Sequence, residues 1–157
     1  MTPSDLIKLA FPLLSACDWE ITSPPKANYN CIAWAAEDSR RWWEPIPPPT
    51  RSVYWPAGAR RARSVEAHAE AFATLGYSPC EPESLEQGVQ KIALFADAKA
   101  NCTHAARQLE DGNWTSKLGE AEDVRHPLRA LVGDRYGNVA LLMSRPRPPG
   151  ARDPRPR

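Results

Sequence analysis

The stretch "THAARQLEDGNWTSKLG" (residues 103–119) predicts a β-hairpin in the second half of the chain. Asp111 and Gly112 form its turn signal, because an Asp-Gly pair readily adopts the left-handed backbone of a tight turn. The apolar run "KIALFAD" (residues 91–97) precedes the hairpin and predicts a buried strand. Two further strands are predicted in "RALVGD" and "NVALLMS", on either side of a "DRYGN" turn. These segments together predict an antiparallel sheet.

The first half of the chain predicts helices. Residues 4–14 form an amphipathic pattern, and Thr2 and Asp5 match the capping box that begins a helix. A second helix is predicted from Cys31 to about residue 41, and a third in "SVEAHAEAFATLGY" (residues 64–77). The apolar side chains expected to be buried are Leu6, Leu9, Leu13 and Leu14 in the first helix and Val65, Ala69, Phe72 and Leu75 in the third. Helices followed by strands predict a single α+β domain over residues 1–144, with N-terminal helices packed on a C-terminal antiparallel sheet.

Composition restricts the partners and the compartment. The 157 residues carry a net charge of +1, which favours neither nucleic acid nor a membrane surface as a partner. The four cysteines are widely spaced and lack a CxxC pair, which favours reduced thiols and a cytoplasmic protein over a disulfide framework. "LLSAC" (residues 13–17) matches the signal of an exported lipoprotein, but the short apolar run and Pro12 disfavour export. Residues 145–157 are rich in proline and arginine and predict a disordered tail.

The stretch "YNCIAWAA" (residues 29–36) contains the candidate nucleophile, Cys31. With Asn30 as the N-cap, Cys31 would begin a helix, where unpaired N–H groups and the helix dipole stabilise a thiolate. A thiol nucleophile also needs a base, normally a histidine from elsewhere in the chain. His104 is the candidate, because it begins a predicted strand beside two small alanines. His68 lies within a predicted helix and His126 in a predicted loop.

This order of cysteine and histidine resembles the papain-like superfamily of cysteine peptidases and amidases, of which the small bacterial cell-wall peptidase branch is the closest in size. The chain also resembles an uncharacterised bacterial domain family that has "YNCIAWAA", "HAARQL" and "WTSKLG" boxes. The resemblance implies a papain-like fold, a third residue that orients the histidine, and an oxyanion site beside the cysteine.

The orienting residue depends on the register of the hairpin, and Ser116 and Asp123 are the favoured candidates. A two-residue turn would place Thr115 and Lys117 on the face of His104, whereas a three-residue loop would place Ser116 there. Asp123 would reach the histidine from the following loop. The backbone N–H of Cys31 would bind the oxyanion, together with a side-chain amide of Asn28 or Asn30.

These residues predict a thiol hydrolase, a peptidase, amidase or deamidase, that acts on an amide-type bond in a protein, a peptide or a small molecule without a cofactor. Trp34, Trp43, Trp55 and Lys117 are candidate substrate contacts. The alternative is a non-catalytic binding module that uses a tryptophan-rich surface between residues 42 and 55. A metal site at Cys31, Cys102 and His104 is a further alternative, although it lacks an evident fourth ligand.

Overall fold

The computed structural model describes residues 1–46 and 53–148. Within these residues the α-helices are α1 (Pro3–Ala10), α2 (Cys31–Ala35) and α3 (Val65–Ala73), and the 3₁₀ helices are η1 (Pro12–Ala16) and η2 (Leu128–Leu131). The strands are β1 (Glu20–Ser23), β2 (Trp42–Trp43), β3 (Val53–Tyr54), β4 (Ser78–Cys80), β5 (Val89–Ala96), β6 (Cys102–Gln108), β7 (Trp114–Lys117), β8 (Asp123–His126) and β9 (Asn138–Pro146).

Seven of these strands form one sheet in the order β1-β8-β7-β6-β5-β9-β4. Every pair of neighbouring strands in this sheet is antiparallel. Strands β2 and β3 form a separate parallel pair. Three helices and a large antiparallel sheet confirm the predicted α+β class.

The sheet separates two apolar cores, because side chains alternate between its faces along each strand. We call one side the α2 face; its core contains Ile92, Leu94 and Ala105 and is covered by α2, α3 and buried tryptophans. The other side is the α1 face; its core contains Ala93 and Ala106 and is covered by α1, η1 and η2. A residue's position along a central strand therefore determines which core it joins.

Helix α1 confirms the predicted cap but buries a different side. The Thr2 hydroxyl accepts from the Asp5 N–H, and the Asp5 carboxylate accepts from the Thr2 N–H. The prediction was wrong about the buried side, because Ile7 and Phe11 pack on the sheet. Leu6, Leu9 and Leu13 are exposed, and only Leu14 of the four predicted leucines is buried. The periodicity of the sequence allows either the leucine side or the side with Ile7 and Phe11 to be buried. The observed side includes a contact between the Phe11 and Tyr136 rings, at 5.1 Å between centroids.

Helix α3 begins after Ser64 as predicted, but its buried side is shifted. Phe72 is buried as predicted, and the predicted Val65, Ala69 and Leu75 are half-buried and pack against the same core. The other fully buried residues are Ala67, His68 and Ala71. Small side chains fit close to the sheet, so the alanines lie beneath the helix. His68 is inside this packed face, and its pKa is lowered by burial.

Three other segments differ from the prediction. The segment expected to form a strand at residues 129–134 contains the 3₁₀ helix η2, and residues 123–126 form β8 where a loop was expected. Helix α2 ends at Ala35, well before residue 41, and Glu37 has a positive φ of 65°. A left-handed residue so close to the end of α2 prevents the helix from continuing.

The remaining predictions concern the "LLSAC" segment near the N-terminus and the tail from residue 145. "LLSAC" forms η1 and continues to Cys17, whose thiol contacts the Leu13 carbonyl. Across residues 1–46 and 53–148, no helix has the length and apolar character needed to cross a membrane. Strand β9 continues to Pro146, two residues into the predicted tail, and the part of that tail from residue 149 onward lies outside the described residues.

Of the described glycines, Gly137 has the least room for a side chain. Its φ is +75°, and a Cβ added there would lie 2.1 Å from the Ala96 carbonyl oxygen. We expect Gly137→Ala to lower the free energy of unfolding by about 3 kcal/mol or more, measured by urea denaturation, because strain and a backbone clash add. Gly88→Ala is the matched control, because Gly88 has a φ of +74° with no atom near the added Cβ. Equal losses in the two variants would contradict the clash.

Candidate active site

The candidate site lies where β6 and β7 separate. The pairing between these strands joins Arg107 to Thr115 and Gln108 to Trp114. Strand β6 nevertheless begins at Cys102 and β7 continues to Lys117. Beside this unpaired part of the ladder, Cys31 packs on the α2 face and His104 lies on the α1 face, against Phe95.

The hairpin loop determines which side chain of β7 lies near His104. The Leu109 N–H donates to the Asn113 carbonyl at 2.7 Å, so three residues form the loop between them. Gly112 supplies the required left-handed position with a φ of 90°. This register places Ser116 on the face of His104, as the three-residue alternative predicted.

His104 belongs to a buried chain of hydrogen bonds on the α1 face. Its Nε2 lies 2.9 Å from the Ser116 hydroxyl, which lies 2.7 Å from Nε2 of His126. Nδ1 of His126 lies 2.7 Å from the Pro127 carbonyl oxygen. All three side chains are inaccessible to solvent.

The hydrogen bonds of this chain determine which ring nitrogen of His104 and of His126 carries the proton. The Pro127 carbonyl can only accept, so Nδ1 of His126 carries its proton and Nε2 accepts from Ser116. The Ser116 oxygen is then free to accept from Nε2 of His104. Nδ1 of His104 is left without a proton, and no side chain or backbone group in the described residues bonds to it.

The ring of His104 is held on both sides. Tyr136 stacks on it at 4.0 Å between centroids and 7° between planes, and Phe95 contacts it edge-on at 5.2 Å. The Tyr136 carbonyl accepts a hydrogen bond from the Thr103 hydroxyl, which fastens the 133–137 turn to β6. Burial and the neighbouring His126 lower the pKa of His104 well below its usual range. His104 is therefore neutral in the folded protein at pH 7.

Cys31 begins α2, and Asn30 caps the helix as predicted. The Asn30 side-chain oxygen accepts from the Ala33 N–H at 3.1 Å. Cys31 is half-buried, and burial raises the pKa of its thiol to about 11. The backbone N–H groups of Ala105, Ile32 and Cys31 itself lower that pKa less than burial raises it. The resting thiol is therefore protonated, which corrects the expectation of a thiolate stabilised by the start of a helix; α2 has only five residues.

The Cys31 thiol lies near the part of β6 that carries His104. The Ala105 N–H, which a continued ladder would direct toward β7, lies near enough to the Cys31 sulfur to lower the pKa of that thiol. Ala105 directly follows His104. Both side chains are described, and no hydrogen bond joins the thiol to Nδ1 of His104.

The two asparagines do not aim their amides at Cys31. The Asn30 amide donates to the Trp43 carbonyl at 2.8 Å, and the Asn28 amide donates to the Ser39 carbonyl at 3.0 Å. Both groups therefore fasten the 39–43 segment. The predicted oxyanion contribution of these two side chains is therefore corrected.

Asp123 and Lys117 lie on the α2 side, away from the imidazole. The Asp123 carboxylate accepts from the Ser23 and Tyr29 hydroxyls at 2.5 and 3.0 Å. The Lys117 ammonium donates to the Gly119 and Ala121 carbonyls and is inaccessible to solvent. Asp123 is thus corrected as the residue that orients His104, and Lys117 as a direct substrate contact.

The predicted aromatic contacts are part of the core. Trp34, Trp43 and Trp55 each expose 5% of their surface or less. Their indole N–H groups donate to Thr115, Asp38 and Arg60 respectively. These three rings therefore offer little surface to a partner. Trp42 of the same segment is half-buried and lines a cavity with Arg41 and Val53. Residues 47–52 of the same segment lie outside the described residues.

Two further findings complete the site. Among the described residues, no three His, Cys, Asp or Glu side chains are grouped to hold a metal ion, including Cys31, Cys102 and His104. A cavity of about 360 Å³ opens beside Tyr136 and is lined mainly by apolar side chains. Its walls include Ile7, Phe11, Leu118, Ala121 and Tyr136, with Glu122 and Arg135 at polar positions.

His126 is the residue of this site that sequence reasoning missed. In β8, Val124 and His126 lie on one face because side chains alternate along a strand. The run "DVRH" carries that alternation, but four residues are too few to distinguish a strand from the predicted loop.

Comparisons with known proteins give one result for the family. No curated protein and no solved structure matches the chain. One family model, described as a domain of unknown function, DUF7689, matches residues 20–144. This match includes Cys31, His104, Ser116 and His126 and covers most of the chain. The chain therefore belongs to the DUF7689 family of domains.

Proposed function

We propose that this domain is a thiol hydrolase of papain-like type that cleaves an amide-type bond with Cys31 as nucleophile and His104 as base. The observation that supports it best is the bare Nδ1 of His104, an acceptor buried without a partner next to Ala105, whose backbone N–H lowers the pKa of the Cys31 thiol. An unsatisfied buried polar atom costs about 1–3 kcal/mol. A role in proton transfer gives a reason for that cost.

In the proposed reaction the Cys31 sulfur attacks the substrate carbonyl while its proton passes to Nδ1 of His104. Both groups are neutral at rest, so proton transfer accompanies attack. The imidazolium keeps its Nε2 proton directed at Ser116 and returns the Nδ1 proton to the departing amine. A thioester then remains on Cys31. Water attacks it, gives a proton to His104, and releases the acid as the thiol recovers its proton.

Two structural features support this assignment. The backbone N–H groups of Cys31 and Ile32 lower the pKa of the thiol, so they lie near the sulfur and would donate to the oxyanion. The cavity beside Tyr136 shares that ring with His104, and its apolar lining suits a substrate with an aliphatic or aromatic group next to the scissile bond.

Hydrolysis of an amide panel tests the proposal. The panel contains peptides, protein side-chain amides and small amides, each with apolar and charged groups beside the bond, and mass spectrometry follows the products. We expect Cys31→Ala to abolish hydrolysis and His104→Ala to lower kcat by about 10²–10⁴-fold, the usual contribution of a general base.

Cys17→Ala is the matched control, because it removes a thiol on the opposite side of the sheet and should leave the rate unchanged. Substrate cleavage that survives in Cys31→Ala would refute the proposed nucleophile. The absence of turnover across the whole panel in the wild-type protein would argue against a hydrolase.

A further inference from the structure

The second histidine of the buried chain carries an inference that rests on the proposed function and deepens it. His126 touches neither Cys31 nor the cavity wall beside Tyr136. Its ring is fully buried and hydrogen-bonded at both nitrogens. Three residues on adjacent strands, His104, Ser116 and His126, are thus joined in a line that ends on the Pro127 carbonyl.

We infer that His126 is a positioning residue that acts through Ser116 to keep the proton of His104 on Nε2 and thereby leave Nδ1 free as the base. The Pro127 carbonyl fixes the proton of His126 on Nδ1. The bare Nε2 of His126 then requires the Ser116 hydroxyl to donate toward it. A serine hydroxyl has one proton, so it can only accept from His104.

The opposite direction of the Ser116 hydrogen bond would disable the base. If the Ser116 hydroxyl turned around and donated to Nε2 of His104, the proton of the neutral imidazole would move to Nδ1. Nδ1 could then no longer accept the thiol proton. Since Ser116 can be rotated either way, the choice depends on an acceptor at the position of His126 and not on Ser116 itself.

The neighbouring strands supply no other partner for this role. Ser116 is paired with Val124 across β7 and β8, and Trp114 with His126. Within residues 1–46 and 53–148, the Ser116 hydroxyl bonds to the two imidazoles and to no other side chain. Burial lowers the pKa of His126 to about 4, so it remains a neutral acceptor at pH 7.

The direct test is the ring ¹⁵N spectrum of the three histidines in the full chain. In the wild-type protein we expect His104 to carry its proton on Nε2 and His126 on Nδ1. In His126→Leu, a replacement of similar volume without an acceptor, we expect the proton of His104 to move to Nδ1. In His126→Gln, the side-chain oxygen can accept from Ser116 and should retain the wild-type tautomer.

Kinetics give the second readout. With a substrate found in the amide panel, His126→Leu should lower kcat by about 100-fold with little change in KM, because the wrong tautomer removes the base. His126→Gln should restore most of the rate. A purely structural role would not separate these two variants in kcat alone.

Each result decides the inference. A proton on Nδ1 of His104 in the wild-type protein, or an unchanged tautomer in His126→Leu, would overturn it. If His126→Leu does not fold, Ser116→Ala replaces it: this variant removes the hydroxyl that joins the two rings, so the proton of His104 should leave Nε2 while that of His126 stays on Nδ1. An unchanged His104 tautomer in Ser116→Ala would equally overturn the inference. The spectra do not depend on turnover, so a correct tautomer without hydrolysis would refute the proposed function and leave the positioning role intact.

Discussion

Iodoacetamide is expected to alkylate Cys31 slowly at pH 7 and about 100-fold faster at pH 9, with no plateau between. Alkylation requires the thiolate, and burial raises the pKa of this thiol to about 11. Each pH unit below the pKa lowers the thiolate fraction tenfold, so roughly one Cys31 in 10⁴ is ionised at pH 7. A free cysteine, with a pKa of about 8.5, would begin to level off before pH 9. Peptide mass spectrometry reports the rate at Cys31 separately from the other three cysteines.

Two controls make the result decisive. N-acetylcysteine corrects for the reagent, and circular dichroism at each pH confirms that the chain remains folded. His104→Ala should change the alkylation rate by less than about threefold, because a base that acts only during attack on a carbonyl does not ionise the resting thiol. A fast plateau beginning near pH 5 that His104→Ala abolishes would contradict the neutral pair and restore the ion pair expected from the sequence.

The difference between these expectations shows what the sequence could predict about Cys31. Asn30 before "CIAWAA" correctly placed a cap and a helix start. The length of α2 and the burial of the thiol depend on distant contacts with β6, which local patterns do not contain. The dipole of a five-residue helix is small, and desolvation has the larger effect on the pKa.

The hairpin also has one feature that the local sequence predicts and one that it leaves open. Asp111-Gly112 predicted the turn, and the left-handed Gly112 is present. The number of loop residues was open, and it alone determines whether Ser116 or Lys117 lies on the face of His104. A shift of one residue exchanges every side chain between the two faces, and both faces of this sheet are apolar, so hydrophobic alternation could not fix the register.

That two-sided burial also explains the errors outside the site. In a sheet with one solvent-exposed face, the alternation of "DVRH" would be a clear strand signal. Here the strand is short, and Asp123 and His126 are buried as well. His126 enters the site only because β8 pairs with β7, a contact that follows from the order of strands in the sheet. Sequence reasoning found the residues of the hairpin and missed the residue contributed by its neighbour.

Lowering the pH from 6 to 5 is expected to reduce the free energy of unfolding by about 2–3 kcal/mol. The pKa of His126 is about 4 and that of His104 is well below its usual range, both because of burial. In this window the unfolded chain protonates both histidines, with pKa values near 6.5, while the folded chain leaves them neutral. The unfolded state then binds more protons, so stability is fully present above pH 6.5 and falls with pH. Each histidine contributes about 1.4 kcal/mol per pH unit.

Urea denaturation at pH 7.0, 6.0 and 5.0 measures this dependence. His68 is also buried with a lowered pKa and adds to the slope in the same direction, so His68→Gln serves as the comparison background. In that background, His126→Gln should reduce the slope by about half, because one of the two buried imidazoles is gone. A stability that stays constant between pH 6 and 5 would mean that the folded protein accepts protons at these rings. The hydrogen-bond chain would then lack the fixed polarity on which both the base and its positioning depend.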